Sequence, residues 1–369
     1  MNNTYKKLYW CEDKNHSDWD LWDDFLQETP RGHYLQLSDW LKGYSVYGFD
    51  ASLGLIKDDI GRILGGIGVV KAKFSFFKLF VVPAGPIIRE GYEDLLELFI
   101  QEFYDYSKNN GATYAHINLP IIEQCNMPFS LPFSSLKNDS IFFTGNVGIK
   151  FKHVSSISGL RWIDLKIHNK YEQEENLFNS FPYKAKRKIK SCIKNNVTCK
   201  ISGNFEDFFL SYKVIEELSK KNGYIVREWD DMKTIFYNLS KKNFVKFINA
   251  EHQNEIKGSI WVVKCGQRYT YMSGASKREN SDISVGYLMQ WCVIVNSFYE
   301  GMIGYDISVG GNQGVINFKN SFSPVYYSFI SPRYWIFKPG QFYIFYFIYK
   351  NTAKYKKLIA KILRYIKIN

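Results

Sequence analysis

The chain has 369 residues, of which 46% are hydrophobic and 23% charged, so it can bury a full core and long disordered regions are excluded. Its formal net charge of +12 suits polyanions such as nucleic acid, phosphorylated substrates or anionic lipid, without choosing among them. Six scattered cysteines, a polar N-terminus and the lack of a long apolar run argue against a metal or disulfide framework, a signal peptide and a membrane-spanning helix.

The first part of the chain predicts helices followed by a meander of strands, a helix and a strand. The apolar spacing and turn residues give, in order, helix 19–27, a brief helix after Ser38, strands 47–56, 62–71 and 74–82, helix 92–109 and strand 112–118. The polar turn at 57–61 joins the first two strands as a hairpin.

The middle of the chain predicts mostly helices. The expected elements are strand 163–165, helices 170–179 and 183–194, strand 197–201, and helices 205–221 and 230–239. The helix 183–194 carries six Lys or Arg side chains, which either face phosphates or RNA or form a solvated surface.

The next part repeats the order of the first. The expected elements are strands 244–250, 256–264 and 268–273, helix 284–299 and strand 302–307. Three antiparallel strands, a helix and a further strand are the layout of a GNAT-type acyltransferase core. We therefore predict an α/β (α+β) fold with two GNAT-like domains, each a mixed, mostly antiparallel sheet flanked by helices. The first is expected over 1–157, completed by 326–369, and the second over 158–325.

A glycine-rich stretch, 305–322, joins the last strand to a short helical segment. Gly310, Gly311 and Gly314 allow tight turns and a close approach to a ligand. Lys319 follows Phe318 in apolar surroundings, so we expect its amine at the mouth of a pocket, where it can hold a phosphate or stabilise an oxyanion. The alternative is a solvated lysine on an amphipathic turn.

The C-terminal tail combines an apolar run with positive charge. Residues 343–349 are continuously apolar or aromatic, and Tyr355, Leu358, Ile359, Ile362 and Ile366 recur at helical spacing among lysines. Such a helix either lies on an anionic membrane or packs against the first domain with its lysines in water.

The common catalytic signatures are missing. The sequence has no P-loop, GxSxG or HExxH motif, and its six histidines do not cluster. A hydrolase with an activated nucleophile is therefore disfavoured. Direct transfer of an acyl group from an activated donor to an amine needs positioning and charge stabilisation, which lysine, tyrosine and backbone amides can supply.

Four segments together resemble the FemABX family of peptidoglycan bridge-forming aminoacyltransferases. They are Gly-x-x-x-Gln-x-x-x-Trp-x-Lys at 32–42, the basic stretch 181–197, Gly-Tyr-Ile-Val-Arg at 223–227, and Tyr-Met-Ser-Gly-Ala-Ser at 271–276 leading to Tyr305-Asp306 and Phe318-Lys319. The resemblance implies two GNAT-like domains with a cleft between them. It also implies transfer of an amino acid from aminoacyl-tRNA to an amine of a UDP- or lipid-linked peptidoglycan precursor, without a cofactor.

The resemblance also suggests roles for single residues. Lys319 would stabilise the tetrahedral oxyanion and Phe318 would shape the pocket, while Arg227 would bind the diphosphate of the precursor. The remaining substrate-binding candidates are Lys42 or Tyr44 at a second phosphate, Tyr271 and Ser273 in the cleft, Asn118 near the acceptor amine, and Asp306. Asn118 stands where some members have an aspartate, and an amide is not a general base.

Two other functions stay open on sequence. One is an acyl-CoA-dependent N-acyltransferase acting on a sugar or sugar nucleotide with acetyl-CoA as donor; residues 83–86 and 274–280 do not fit the usual pyrophosphate loop. The other is a non-catalytic, membrane-associated binding protein. The sequence predicts a cytoplasmic protein and leaves open peripheral contact with the inner face of the plasma membrane. No metal site is expected.

Overall fold

The structure is a computed structural model that describes residues 8–74, 77–136, 154–166, 173–221, 223, 226–277 and 283–352. The predicted amphipathic helix around 355–366 lies outside these residues. All six cysteines are described and are free thiols. Within the described ranges, no helix has the length and apolar character that a membrane crossing requires.

Ten α-helices are present in the described part of the chain: α1 (Asp18–Glu28), α2 (Ser38–Lys42), α3 (Leu96–Asn109), α4 (Gln173–Ser180), α5 (Tyr183–Lys194), α6 (Phe205–Lys221), α7 (Trp229–Lys241), α8 (Val285–Tyr299), α9 (Gln313–Asn320) and α10 (Pro339–Thr352).

The strands, in chain order, are β1 (Tyr9–Cys11), β2 (Asp50–Lys57), β3 (Ile63–Phe74), β4 (Phe77–Val82), β5 (Ile87–Ile88), β6 (Tyr114–Ile117), β7 (Ile121–Ile122), β8 (Leu131–Pro132), β9 (Gly159–Asp164), β10 (Thr198–Ser202), β11 (Val245–His252), β12 (Glu255–Cys265), β13 (Arg268–Ser276), β14 (Gly304–Asp306), β15 (Val325–Ser328) and β16 (Arg333–Ile336).

The chain divides into two compact units. One comprises Met1–Ser158 and Ser328–Asn369, and the other Gly159–Tyr327. The second unit is therefore a continuous piece of chain, whereas the first is built from both ends of the sequence.

The first unit is organised around a mixed sheet with the strand order β1-β2-β3-β4-β6-β16, in which β5 pairs with β3. Strands β2, β3 and β4 form the predicted antiparallel meander, and β6 joins β4 in parallel after helix α3. The buried face of α3 (Leu96, Phe99, Ile100 and Phe103) packs on this sheet because its apolar residues recur at helical spacing.

Gln36 has a structural role in this unit. Its side chain accepts a hydrogen bond from the backbone N–H of Gly68 at 2.6 Å and donates one to the Gly68 carbonyl at 3.2 Å. Gly68 lies between the part of β3 that pairs with β5 and the part that pairs with β4, so the Gln36 amide takes the place of a neighbouring strand there. A Cβ atom on Gly68 would come within 2.3 Å of Leu41, which explains glycine at this position.

The second unit is organised around the strand order β10-β11-β12-β13-β14-β9-β15. Its antiparallel meander β11-β12-β13 is followed by α8 and by β14, which pairs with β13 in parallel. Alternation along the strands gives the sheet two apolar faces. Ile248 and Ile260 join the cluster that contains α8, and their neighbours Phe247 and Trp261 contact Phe236 of α7.

The predicted fold class is confirmed: each unit has a mixed, mostly antiparallel sheet with helices packed on it, and the order of meander, helix and parallel strand occurs twice. The main local difference concerns Tyr47, which was expected as the first residue of a strand, and residues 43–46 before it. They form a 3₁₀ helix that ends at Gly48 with φ +76°, because the chain has to turn before β2 begins.

Candidate active site

The glycine-rich loop after β14 is closed by its own backbone and by the start of α9. Asn312 caps α9, since its side-chain oxygen accepts a hydrogen bond from the backbone N–H of Val315 at 3.1 Å. Gly311 has φ +132°, and a Cβ there would come within 2.6 Å of Val315. This glycine is therefore required for the loop to turn into the helix.

Lys319 anchors this loop from inside. Its ammonium donates hydrogen bonds to Ser308 Oγ at 2.7 Å, to the Ser308 carbonyl at 3.1 Å and to the Gly310 carbonyl at 2.7 Å, which uses all three of its N–H groups. Only 2% of the residue is exposed. The prediction that this amine lies at the mouth of a pocket is therefore wrong. The loop folds over the ammonium because the carbonyl groups of the loop need hydrogen-bond donors.

Asp306 supports the same loop. Its carboxylate accepts hydrogen bonds from the backbone N–H of Ser308 at 2.8 Å and of Arg161 at 3.1 Å, and the residue is 2% exposed. Arg161 adds bonds to the Val309 carbonyl and the Asn320 side chain. Asp306 was predicted to contact substrate. In the structure, both of the described hydrogen-bond partners of its carboxylate are backbone groups, so its contacts hold the loop.

Burial and charge shift the two central groups. Burial lowers the pKa of Lys319 to about 8, while the charge of Asp306 opposes and that of Arg161 assists this shift. Burial raises the pKa of the Asp306 carboxyl. The charges of Arg268 and Lys319 and the two backbone N–H groups act against this shift. Lys319 is therefore cationic at neutral pH but loses its proton at a much lower pH than an exposed lysine.

A cavity of about 420 Å³ opens between the end of β13, the first turns of α8 and the start of α9. Phe318 and Tyr271 line it, and the Tyr271 ring also lies 5.1 Å from the Lys319 ammonium. The Phe318 ring is fixed by an edge-on contact with Tyr287 at 4.9 Å. The structure therefore brings Phe318, Tyr271 and Lys319 together, with Tyr271 next to both the cavity and the cation.

Ser273 lies on the other face of the sheet from Tyr271. Two positions along a strand normally point the same way, but the register between β12 and β13 shifts at Trp261 and Val262, so that Tyr271 and Ser273 diverge. Ser273 Oγ accepts a hydrogen bond from the Trp261 indole at 2.7 Å, on the side where α7 packs. The expected pairing of the two residues in one cleft is not found.

Arg227 is half-buried just before α7. Its carbonyl accepts a hydrogen bond from the Tyr212 hydroxyl at 2.8 Å, and its guanidinium is 4.0 Å from the sulfur of Met232. It does not line the cavity and belongs to the α6–α7 face. Helix α7, which begins two residues after Arg227, is connected to β11 by three residues.

In the first unit, the two candidates for a second phosphate site differ in accessibility. Tyr44 is completely buried, and its hydroxyl accepts a hydrogen bond from the Ser155 backbone at 3.0 Å. The ammonium of Lys42 lies 4.6 Å from the centre of the Trp19 ring, and the residue is partly exposed. The geometry therefore favours Lys42 over Tyr44 as a phosphate ligand.

Asn118 follows β6 and is 2% exposed. Its amide nitrogen donates to the Val82 carbonyl at 2.9 Å, which fixes the orientation of the amide, and its oxygen has no hydrogen-bond partner among the described residues. A buried carbonyl oxygen without a hydrogen-bond partner is unfavourable, but this oxygen is shielded from solvent, so a ligand reaches it only if the surrounding residues move.

Gln290 is a cavity residue that sequence reasoning missed. It lines the cavity, is 1% exposed, and its oxygen accepts a hydrogen bond from the Tyr305 hydroxyl at 2.5 Å. The sequence feature that could have identified Gln290 is a polar side chain within the apolar run of α8, at a position where a helix with only a structural role would have an apolar side chain. Across the described ranges, no group of three His, Cys, Asp or Glu residues is arranged to hold a metal ion.

A model of the FemAB family matches residues 20–245, which is more than half of the chain. This chain belongs to the FemAB family. The family is one of transferases that form peptidoglycan cross-bridges, so the FemAB chain is a transferase of that family. Among curated proteins, no sequence matches it.

Solved structures agree with the FemAB assignment at the level of fold. A structure described as the crystal structure of FemX superposes with a TM-score of 0.75 at 14% identity, over 92% of this chain and 99% of that one. A conserved protein of unknown function from Bacteroides thetaiotaomicron superposes with a TM-score of 0.53 at 12% identity, over 89% and 98%.

Proposed function

We propose that this FemAB chain transfers an amino acid from aminoacyl-tRNA to an amine of a peptidoglycan precursor. The observation that carries the proposal is the cavity of the second unit, with Phe318 and Tyr271 in its wall and the buried cation Lys319 behind Tyr271. An uncharged cavity beside a fixed positive charge suits a reaction in which negative charge develops on a carbonyl oxygen.

In the proposed reaction the acceptor amine attacks the ester carbonyl of the aminoacyl group. A C–N bond forms, the C–O bond to the ribose breaks, and the proton lost by the amine passes to the leaving oxygen or to solvent. The protein forms no covalent intermediate, so its contribution is to position the two substrates and to stabilise the oxyanion.

Lys319 would act in this step through its charge and through the loop that it holds. Its three N–H groups are already donated to Ser308 and Gly310, so a direct bond to the oxyanion requires the exchange of one of them. Because the site is buried, the charge is weakly screened and its effect on a neighbouring oxyanion is larger than in water.

Other residues would hold the acceptor. Arg227 and Lys42 are the proposed phosphate ligands, with the guanidinium of Arg227 suited to a diphosphate. Asn118 of the first unit stays a proposed contact of the acceptor, and its amide does not act as a general base.

A donor comparison tests the function. The full-length protein is offered alanyl-, glycyl-, seryl- or lysyl-tRNA, or acetyl-CoA, separately, with a UDP- or lipid-linked precursor that carries a free amine, and new amide products are identified by mass spectrometry. Product from at least one aminoacyl-tRNA and none from acetyl-CoA is expected. Product from acetyl-CoA alone would overturn the proposal in favour of an acyl-CoA-dependent N-acyltransferase.

We also propose a peripheral contact with an anionic membrane at the cytoplasmic face. Helix α10 buries Phe342 and Phe345 but leaves the opposite side apolar and exposed: Tyr343 is 62%, Ile344 54%, Phe347 71% and Ile348 48% exposed. Such a surface is unusual unless something covers it. After Asp306 the sequence has ten Lys or Arg residues and no Asp or Glu, which favours anionic lipid as the partner.

A further inference from the structure

The wall of the cavity in the second unit is neutral. None of the described residues that line it carries a charge, and several of them are small, including Gly274, Ala275, Gly286 and Gly314. Gln290 supplies a directional polar group in this wall, deep in the site and 1% exposed. A ligand held there therefore meets apolar and aromatic surface, the hydroxyl of Ser276 and the side-chain amides of Gln290 and Asn312. The oxygen of Asn312 already accepts the hydrogen bond that caps α9, and Gln290 is the amide buried within α8.

The hydrogen bond from Tyr305 determines which end of that amide faces the cavity. Tyr305 is fully buried, and Gln290 is the hydrogen-bond partner of its hydroxyl within the described part of the chain. If the amide were reversed, the buried hydroxyl hydrogen would lose its acceptor, which is unfavourable. The oxygen of Gln290 therefore faces Tyr305, and its NH₂ group is left for the cavity.

The ionisation of Tyr305 supports the same orientation. Burial raises its pKa well above the usual value, and the neighbouring Tyr271 and Asp306 act in the same direction. The hydroxyl therefore stays protonated and remains a donor over the whole physiological range. The hydroxyl of Tyr305 thus has an acceptor, whereas the NH₂ group of Gln290 still needs one, since it has no hydrogen-bond partner among the described residues.

We propose that Gln290, oriented by Tyr305, determines which acyl group the cavity accepts: its amide N–H donates to an oxygen of an aminoacyl group whose side chain is uncharged, and it discriminates against a cationic side chain. This inference rests on the proposed function and adds a specificity-determining residue to it. An ammonium group in the cavity would meet the N–H groups of Gln290 without a carboxylate to neutralise it, and burying an unpaired charge is costly.

The test is a ratio of donor efficiencies. We expect the wild-type protein to have a higher kcat/KM with alanyl- or seryl-tRNA than with lysyl-tRNA. Gln290→Glu keeps an oxygen for the Tyr305 hydroxyl but presents a carboxylate oxygen to the cavity, so the lysyl-to-alanyl ratio of kcat/KM should rise at least about tenfold. A ratio does not depend on the fraction of folded protein, which separates specificity from a loss of stability.

Two further variants keep the proposal falsifiable if Gln290→Glu folds poorly. Gln290→Met, of similar length, should lower kcat/KM for the neutral donors about tenfold through a higher KM. Asn296→Leu is the matched control, because Asn296 is an amide on the same helix that bonds to Glu300 and does not line the cavity. Its donor ratio should equal that of wild type.

The outcomes separate the two proposals. If no aminoacyl-tRNA is a donor for the wild-type protein, the proposed function fails and this inference with it. If aminoacyl-tRNA is used but lysyl-tRNA is preferred by wild type, or if neither Gln290 variant changes efficiency or ratio, the role of Gln290 is overturned while the transferase function stands.

Discussion

At the scale of single residues, Lys319 combines two tasks in one side chain. Its ammonium holds the backbone of Ser308 and Gly310, and the same charge lies beside the ring of Tyr271 at the cavity. A substitution there changes the loop as well as the charge. The sequence placed this amine at the mouth of a pocket, and the buried hydrogen bonds change that expectation.

Lys319→Met should therefore lower both activity and stability. Loss of the charge should reduce kcat about 10²- to 10³-fold, as for other groups that stabilise an oxyanion. The loop oxygens left without a donor should lower the free energy of unfolding by about 1–3 kcal/mol. Denaturant unfolding and steady-state kinetics measure the two effects. Lys233→Met, a substitution of an exposed lysine on α7, is the control and should change neither by much.

The activity should also depend on the protonation of Lys319. Its pKa is about 8, so the ammonium is present below that pH and is lost as the pH rises through it; kcat should then fall about tenfold per pH unit. Because the charge of Asp306 raises this pKa, Asp306→Asn should move the falling limb to lower pH. A pH–rate profile measures this. If kcat falls at the same pH in both proteins, deprotonation of Lys319 is not the cause of the fall.

At the scale of elements, strand β13 shows what the sequence did not reveal. Periodicity located this strand, and the family resemblance made Tyr271 and Ser273 cleft candidates. The register shift opposite Trp261 and Val262 puts the two side chains on different faces of the sheet. A bulge depends on the partner strand, which one strand's own residues do not specify. In contrast, α5 and α6 were predicted with their full bounds, since their apolar spacing is a local property.

Helix α10 carries the prediction about membranes. Phe347→Asp should weaken binding of the full chain to phosphatidylglycerol-containing vesicles at least about tenfold, because the residue is 71% exposed and its burial in lipid would be lost. Leu210→Asp, at a 65% exposed position on α6, is the matched control and should bind as wild type does. Co-sedimentation with and without phosphatidylglycerol measures both. Equal binding by the two variants would contradict an α10 contact.

At the scale of the whole molecule, the second unit is inserted into the first. Strand β16 returns after the insertion to pair with β6, and Trp335, 3% exposed, packs among Phe103 and Tyr104. The repeated order of elements made the two sheets predictable, whereas the candidate site was only partly so. Phe318 and Lys319 were found through sequence resemblance, but the burial of Lys319 and the cavity role of Gln290 depend on long-range packing.

Because each unit has its own sheet and its own hydrophobic core, we predict that the two units unfold separately. Trp335→Ala should destabilise the first unit by about 3–5 kcal/mol, the usual cost of removing a large buried aromatic side chain. The unfolding of the second unit should be unchanged and should coincide with that of residues 159–327 expressed alone. Denaturant titrations of the three proteins test this. A single shifted transition in the variant would show that the units unfold together.

The central claim is that the aminoacyl end of the donor occupies the cavity of the second unit. A crystal structure of the full chain with a non-hydrolysable aminoacyl-adenosine analogue tests it most directly. We expect the aminoacyl group between Tyr271 and Phe318, with one of its oxygens within hydrogen-bond distance of the Gln290 amide. An analogue bound elsewhere on the chain, with this cavity empty, would contradict the account.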